Sequence, residues 1–208
     1  MKKIILIVLT SLMISSCVKD KDLTDEIIFV DLNPDLILNP VDSVGLHPSG
    51  LCQQVIPFPS DSIISTDIDI NQDGQNDYRF TFTNFYEWVS ASYPCANYNS
   101  IVQINALING NKVVIANEEM HDIKVLNCND NINKKDLFYD NAFIYRNVAM
   151  GNLYFGDFSG EGYIGFKLSN GELGWIKINF QKDYFLCIIL EYAYNKNVAS
   201  DINAGQIK

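Results

Sequence analysis

The sequence predicts an all-β fold, an antiparallel β-sandwich that is jelly-roll-like or related, with short helices or none. Three observations predict it. Tyr78, Phe80 and Phe82 alternate with Arg79, Thr81 and Thr83, the period of a strand with one buried face. Asn109-Gly110 and Asn170-Gly171 each lie between β-prone runs, where residues that tolerate positive φ favour a tight turn. Convincing amphipathic helices are absent, and residues 86–91 offer at most a single helical turn.

In chain order, residues 1–17 come first. Lys2 and Lys3 form a positive start, residues 4–13 are apolar except for Thr10 and Ser11, and small residues lead to Cys17. This is the pattern of a secretory signal, and the apolar run is too short to span a bilayer, which needs ~20 residues. Ile14-Ser15-Ser16-Cys17 resembles the lipobox of bacterial lipoproteins. The resemblance implies cleavage before Cys17, lipid such as palmitate on its thiol, and anchorage at the bacterial outer membrane or cell surface. Residues 1–16 are then a signal peptide, 17–24 a lipidated flexible tether and 25–208 a single β-sandwich domain. The polar run Val18-Lys19-Asp20-Lys21-Asp22 cannot pack a core. It loosely resembles Lys- and Asp-rich surface-sorting signals and reads equally well as a solvated linker.

Loss of Lys2 and Lys3 with the leader moves the formal charge from −10 to −12. An acidic chain repels phosphate backbones, which argues against nucleic acid as a partner and favours cations. Cys52, Cys95, Cys128 and Cys187 remain in an envelope that permits disulfides. Cys187 lies in the apolar run 184–190 and reads as a buried free thiol. Cys95 and Cys128 flank the first Asn-Gly turn and are the favoured pair. The spacings match no zinc site.

Residues 23–60 carry Pro34, Pro40, Pro48, Pro57 and Pro59, which break long elements, so loops and one or two edge strands are expected there. Strands follow from residue 61. Runs 101–108 and 112–116 read as one hairpin around Asn109-Gly110-Asn111. Runs 163–168 and 173–180 read as a second around Asn170-Gly171, and 184–194 as a last long strand.

The segment Asp69-Ile70-Asn71-Gln72-Asp73-Gly74-Gln75-Asn76-Asp77 carries the clearest chemistry. Side-chain oxygens fall at positions one, three, five and nine, with glycine at six. A curled loop of this kind supplies hard oxygen ligands to calcium from alternate residues. The expected ligands are Asp69, Asn71, Asp73, the Gln75 carbonyl and Asp77, with Asp67 as an outside carboxylate. The loop resembles calcium loops of the EF-hand, dockerin and thrombospondin type 3 kinds. It departs from the EF-hand at position twelve, where Phe80 replaces the bidentate Glu. A metal here is expected to be structural, pinning the loop before the strand at Tyr78. The other reading is an Asp- and Asn-rich turn without metal. Residues 157–162 have a similar look with a thinner ligand set and read as a plain turn, and residues 130–136 resemble such a loop less still.

Towards the C-terminus, Gly162-Tyr163-Ile164-Gly165-Phe166-Lys167, then Gly174-Trp175-Ile176-Lys177-Ile178, then Glu191-Tyr192-Ala193-Tyr194 follow in order. This resembles the C-terminal part of poorly characterised secreted bacterial β-sandwich proteins and implies an extracytoplasmic sandwich without carrying catalytic residues. Its aromatics read as core, with Trp175 and Tyr192 as the alternative sugar platform. No nucleophile elbow, zincin motif or phosphate loop is present. His47 and His121 read as loop residues. Glu118, Glu119, Glu161 and Glu191 are the candidates for a glycosidase pair. The sequence therefore reads as a lipid-anchored envelope protein with a calcium-stabilised, non-catalytic binding or scaffold domain, whose partner is a polysaccharide or surface protein. The alternative is a secreted glycan-processing enzyme.

Overall fold

The computed structural model of the chain describes residues 26–40, 44–46, 57–59, 62–90, 93–148, 153–155 and 158–208. The leader, Cys17, the tether, His47 and Cys52 lie outside them. The strands in chain order are β1 (Ile27–Leu38), β2 (Val44–Leu46), β3 (Pro57–Pro59), β4 (Ser62–Ile68), β5 (Tyr78–Ser90) and β6 (Tyr93–Ala106). There follow β7 (Lys112–Val114), β8 (Val125–Leu126), β9 (Asn131–Ile132), β10 (Phe138–Tyr139) and β11 (Asn141–Val148). The last are β12 (Leu153–Phe155), β13 (Gly160–Lys167), β14 (Leu173–Gln181), β15 (Leu186–Asn195) and β16 (Ile202–Asn203). Among the described residues the one helix is the 3₁₀ turn Lys182–Tyr184.

These strands make an all-β, antiparallel architecture of open sheets, a sandwich rather than a closed barrel. The larger sheet runs β1-β15-β14-β13-β7-β10, with β8 also on β13, and the smaller runs β12-β11-β6-β5-β4. The alternation that predicted β5 is realised: Tyr78, Phe80 and Phe82 are fully buried. They meet the inner face of the larger sheet, with Phe82 6.1 Å from Phe180 and Tyr78 5.7 Å from Phe166 between ring centroids. Side chains alternate across a strand, so adjacent residues of β14 serve two cores. Ile176 and Ile178 join the inner core. Trp175 joins a second cluster on the outer face with Leu126, Ile132, Ala193 and Ile202. The C-terminal segment and the β9–β16 pair form its lid, and Trp175 Nε1 donates to the Gln206 carbonyl at 3.1 Å.

Several expectations are corrected. Asn109-Gly110 does not make a hairpin, because β6 and β7 belong to different sheets and β7 pairs with β13 and β10. Residues 86–90 extend β5 rather than forming a helical turn. The Pro-rich start holds a strand of 12 residues, β1. It tolerates Pro34 because it is an edge strand with a register shift between Asp31 and Leu36. Gly160, Glu161 and Gly162, expected in a plain turn, lie in β13.

The chain enters β1 at Glu26, whose carbonyl accepts from Lys196 N at 3.0 Å and whose carboxylate lies 2.8 Å from Lys196 Nζ. Ile27 pairs with Asn195, and Asn195 with Leu173. The end of the sandwich where the chain arrives thus also carries the turn before β14 and, beside that turn, the loop 69–77.

Candidate functional site

Loop 69–77 caps the β4–β5 hairpin, which closes with Asp77 N donating to the Ile68 carbonyl at 2.8 Å. It curls through two left-handed residues, Gln72 at φ 59° and Gly74 at φ 90°. A Cβ at Gly74 would meet nothing within 4 Å, so the glycine serves the backbone angle rather than space. Asp69 accepts from Asp73 N at 3.2 Å and from Gly74 N at 2.8 Å. Asn71 Oδ1 accepts from Asp73 N at 3.0 Å, and Asp73 Oδ1 from Gln75 N at 2.8 Å. Asn71 Nδ2 donates to Asp73 Oδ2 at 3.2 Å. The side chains at positions one, three and five are therefore gathered at the surface.

The other two expected carboxylates point elsewhere. Asp77 is buried, and its Oδ2 accepts from Ile70 N at 2.8 Å while its Oδ1 accepts from Asn111 Nδ2 at 2.8 Å. Asp67 is gripped by Arg79, its partner across β4 and β5, through Nε at 2.7 Å and Nη2 at 2.8 Å. That grip holds the Asp67 carboxyl below its usual range. Among the described residues no group of three or more His, Cys, Asp or Glu side chains is set for a metal. Of the expected ligands, the loop gathers Asp69, Asn71 and Asp73, whose side-chain oxygens accept from its own backbone. Calcium takes six to eight oxygens, more than these three side chains present.

Asn111 ties this loop to the rest of the end. Its amide donates to Asp77, and its Oδ1 accepts from Ser169 N at 2.7 Å. Leu107 N donates to the Asp77 carbonyl at 2.8 Å. Beneath them the Tyr78 hydroxyl is shared between the carbonyls of Lys112, at 3.1 Å, and Lys167, at 3.0 Å. Burial, then the charge of Asp77, push that hydroxyl well above the usual tyrosine range, so it stays a donor. Three turns, 69–77, 107–111 and 168–171, are locked together by these two buried side chains.

On the outer side of turn 107–111 lies a groove of about 500 Å³. Its walls include Leu107, Asn109, Lys112, Tyr139 and Asp140. Leu107 and Tyr139 are exposed by 41% and 37%. The His121 ring lies 4.0 Å from the Tyr139 ring between centroids. His121 Nδ1 is in turn 3.3 Å from Asn141 Oδ1. Sequence reasoning missed Asn111, Tyr139 and the stacking role of His121. The Asn-Gly signal marked the right place and gave no hint of what the following asparagine would hold.

Trp175 and Tyr192 are 0% and 2% exposed, so they form core and offer no sugar platform. Glu118 and Glu119 are exposed on a turn. Glu161 and Glu191 do come together, but on a strand face with Lys177 Nζ between them, at 3.3 Å and 3.7 Å. Burial pulls the Lys177 ammonium down, and the two glutamates more than offset this, leaving it above the usual lysine range. A glycosidase pair needs open space between its carboxylates, and here a cation fills it. Cys128 is disulfide-bonded, while the side chain of Cys95 lies outside the described residues. Cys187 is free and buried, as expected, and burial pushes its thiol up to about 12.

Comparison of the chain with protein-family models, curated proteins and solved structures gives no match.

Proposed function

We propose that the chain is a lipid-anchored protein of the bacterial outer membrane or cell surface whose sandwich serves as a non-catalytic binding or scaffold module. We further propose that loop 69–77 takes calcium, which stiffens the end where binding occurs. The anchor rests on the leader, Ile14-Ser15-Ser16-Cys17. The binding reading rests chiefly on the groove between Tyr139, an exposed ring braced by His121, and the turn 107–111, which Asn111 ties to Asp77 and Ser169. Preorganised concave surfaces with a few fixed polar groups are what recognition needs. The partner is then a polysaccharide or a surface protein.

One preparation tests both halves. The full chain, expressed in a bacterial host fed a labelled palmitate analogue, should carry label and sediment with membranes, and Cys17→Ser should do neither. Label on Cys17→Ser, or wild-type chain without label, removes the anchor. For the loop, calcium should raise the melting temperature relative to chelator, and Asp73→Ala should remove that difference. Identical melting with calcium and with chelator rejects a stabilising site.

A further inference from the structure

We infer that the groove beside Tyr139 binds a neutral polysaccharide, one sugar ring lying on Tyr139 with its hydroxyls reached by Asn109, Lys112 and Asp140. The inference rests on the binding-module reading and names its ligand class. A pyranose has an apolar C–H face and a rim of hydroxyls. A site for it needs an aromatic ring presented to solvent and hydrogen-bonding side chains around it. The groove supplies both. Tyr139 and Leu107 provide the exposed apolar surface, and Asn109, Lys112, Asp140 and the main chain of the 106–111 turn line the rest.

Three further observations favour this ligand. First, the aromatic wall is fixed in advance: His121 packs on the Tyr139 ring, and the opposite wall is the turn bonded to Asp77 and Ser169. Little ordering is left to be done on binding. Second, the charges of Lys112 and Asp140 offset each other across the lining, so the groove matches an uncharged ligand. The chain's formal charge of −10 repels polyanions. Third, a groove of about 500 Å³ accommodates a few sugar units. A stable protein partner would need roughly 800 Å² from each side.

The test is affinity electrophoresis of the full chain in mild detergent through gels containing soluble neutral glucans, mannans or galactans, with polygalacturonate as the anionic control. At least one neutral polysaccharide should retard the chain. Tyr139→Ala should weaken that retardation at least tenfold, Tyr139→Phe should keep it, and His121→Ala should fall between. Tyr184→Ala, at an exposed tyrosine remote from the groove, should change nothing. Amide resonances of residues 107–112 should shift on titration with the retarding polysaccharide, a readout independent of any variant's fold. Retardation that survives Tyr139→Ala with those amides unmoved overturns the site and leaves the binding-module reading standing. Equal retardation by polygalacturonate, or none by any neutral polymer, overturns the ligand class. The lipid-labelling and calcium results stand apart from all of these.

Discussion

Asp122 and Asp67 show how differently one residue type behaves under two environments. Asp122 lies where the chain crosses between sheets, its neighbours bonded to β11 on one side and β7 on the other. Its Oδ1 is buried without a hydrogen-bond partner among the described residues. Burial raises its carboxyl pKa, and the charges of Arg146 and His121 pull it partly back. The folded chain therefore holds the Asp122 proton to higher pH than the unfolded chain. Stability rises as pH falls from that raised value towards 3.8, and the full penalty is present above it. Asp122→Asn should raise the melting temperature at neutral pH and make no difference near about pH 3.5. A lower melting temperature at neutral pH would mean that the carboxylate has a partner. Asp67 has the opposite sign: with its pKa lowered by Arg79, its contribution is present above the usual carboxyl range and lost on acidification. Neither sign can be read from the sequence, because an aspartate's neighbours are chosen by the fold. Cys187 was legible, since an apolar run on both sides leaves a thiol nowhere else to go. The bonding of Asp77 was not: the sequence offers it as a loop ligand and gives no sign that its carboxylate brackets Ile70 and Asn111.

Among elements, two turns with the same chemistry had different outcomes. Gly110 and Gly171 both sit at φ 98°. The second joins the hairpin partners β13 and β14, and the first carries the chain from one sheet to the other. Turn residues set a reversal of direction, whereas the strand that accepts the hydrogen bonds is selected by tertiary packing. Alternation told more at β5, where it placed the buried face; the C-terminal hairpin was legible instead from β-prone runs on both sides of Asn170-Gly171. A glycine within that hairpin shows how closely its neighbours in the same sheet crowd it. A Cβ at Gly174 would lie 2.2 Å from Phe166 Cζ and 2.5 Å from the Ala193 carbonyl oxygen, and the latter is backbone that cannot turn away. Gly174→Ala should therefore cost about 2 kcal/mol or more. Gly74→Ala, free of contacts but left-handed, should cost about 1–2 kcal/mol. Urea unfolding of both variants measures the comparison, and equal costs would contradict the packing argument.

For the whole molecule, the second cluster makes the C-terminus part of the fold. Ile202 and Ala204 pack with Trp175 and Leu173 on the outer face of the larger sheet. A chain stopped after Ser200 should lose this cover, shift its tryptophan emission to the red and melt at lower temperature. An unchanged spectrum would show that Trp175 is protected by other means. The C-terminal runs read as a sandwich with buried aromatics, with no sign that β14 would be covered on both sides. That follows only from the small β9–β16 pair, whose strands are two residues each and carry no periodic signal.

The attachment of Glu26 to Lys196 has a consequence for reach. The chain between Cys17 and Glu26 spans at most about 30 Å when fully drawn out. With lipid on Cys17, the end of the domain that carries the loop and the groove is the end leashed to the bilayer. What the groove meets is then confined to a thin shell above the lipid headgroups. The effective concentration of a polymer rooted in that same membrane would far exceed that of one drifting past, so weak intrinsic affinity could suffice for lasting attachment.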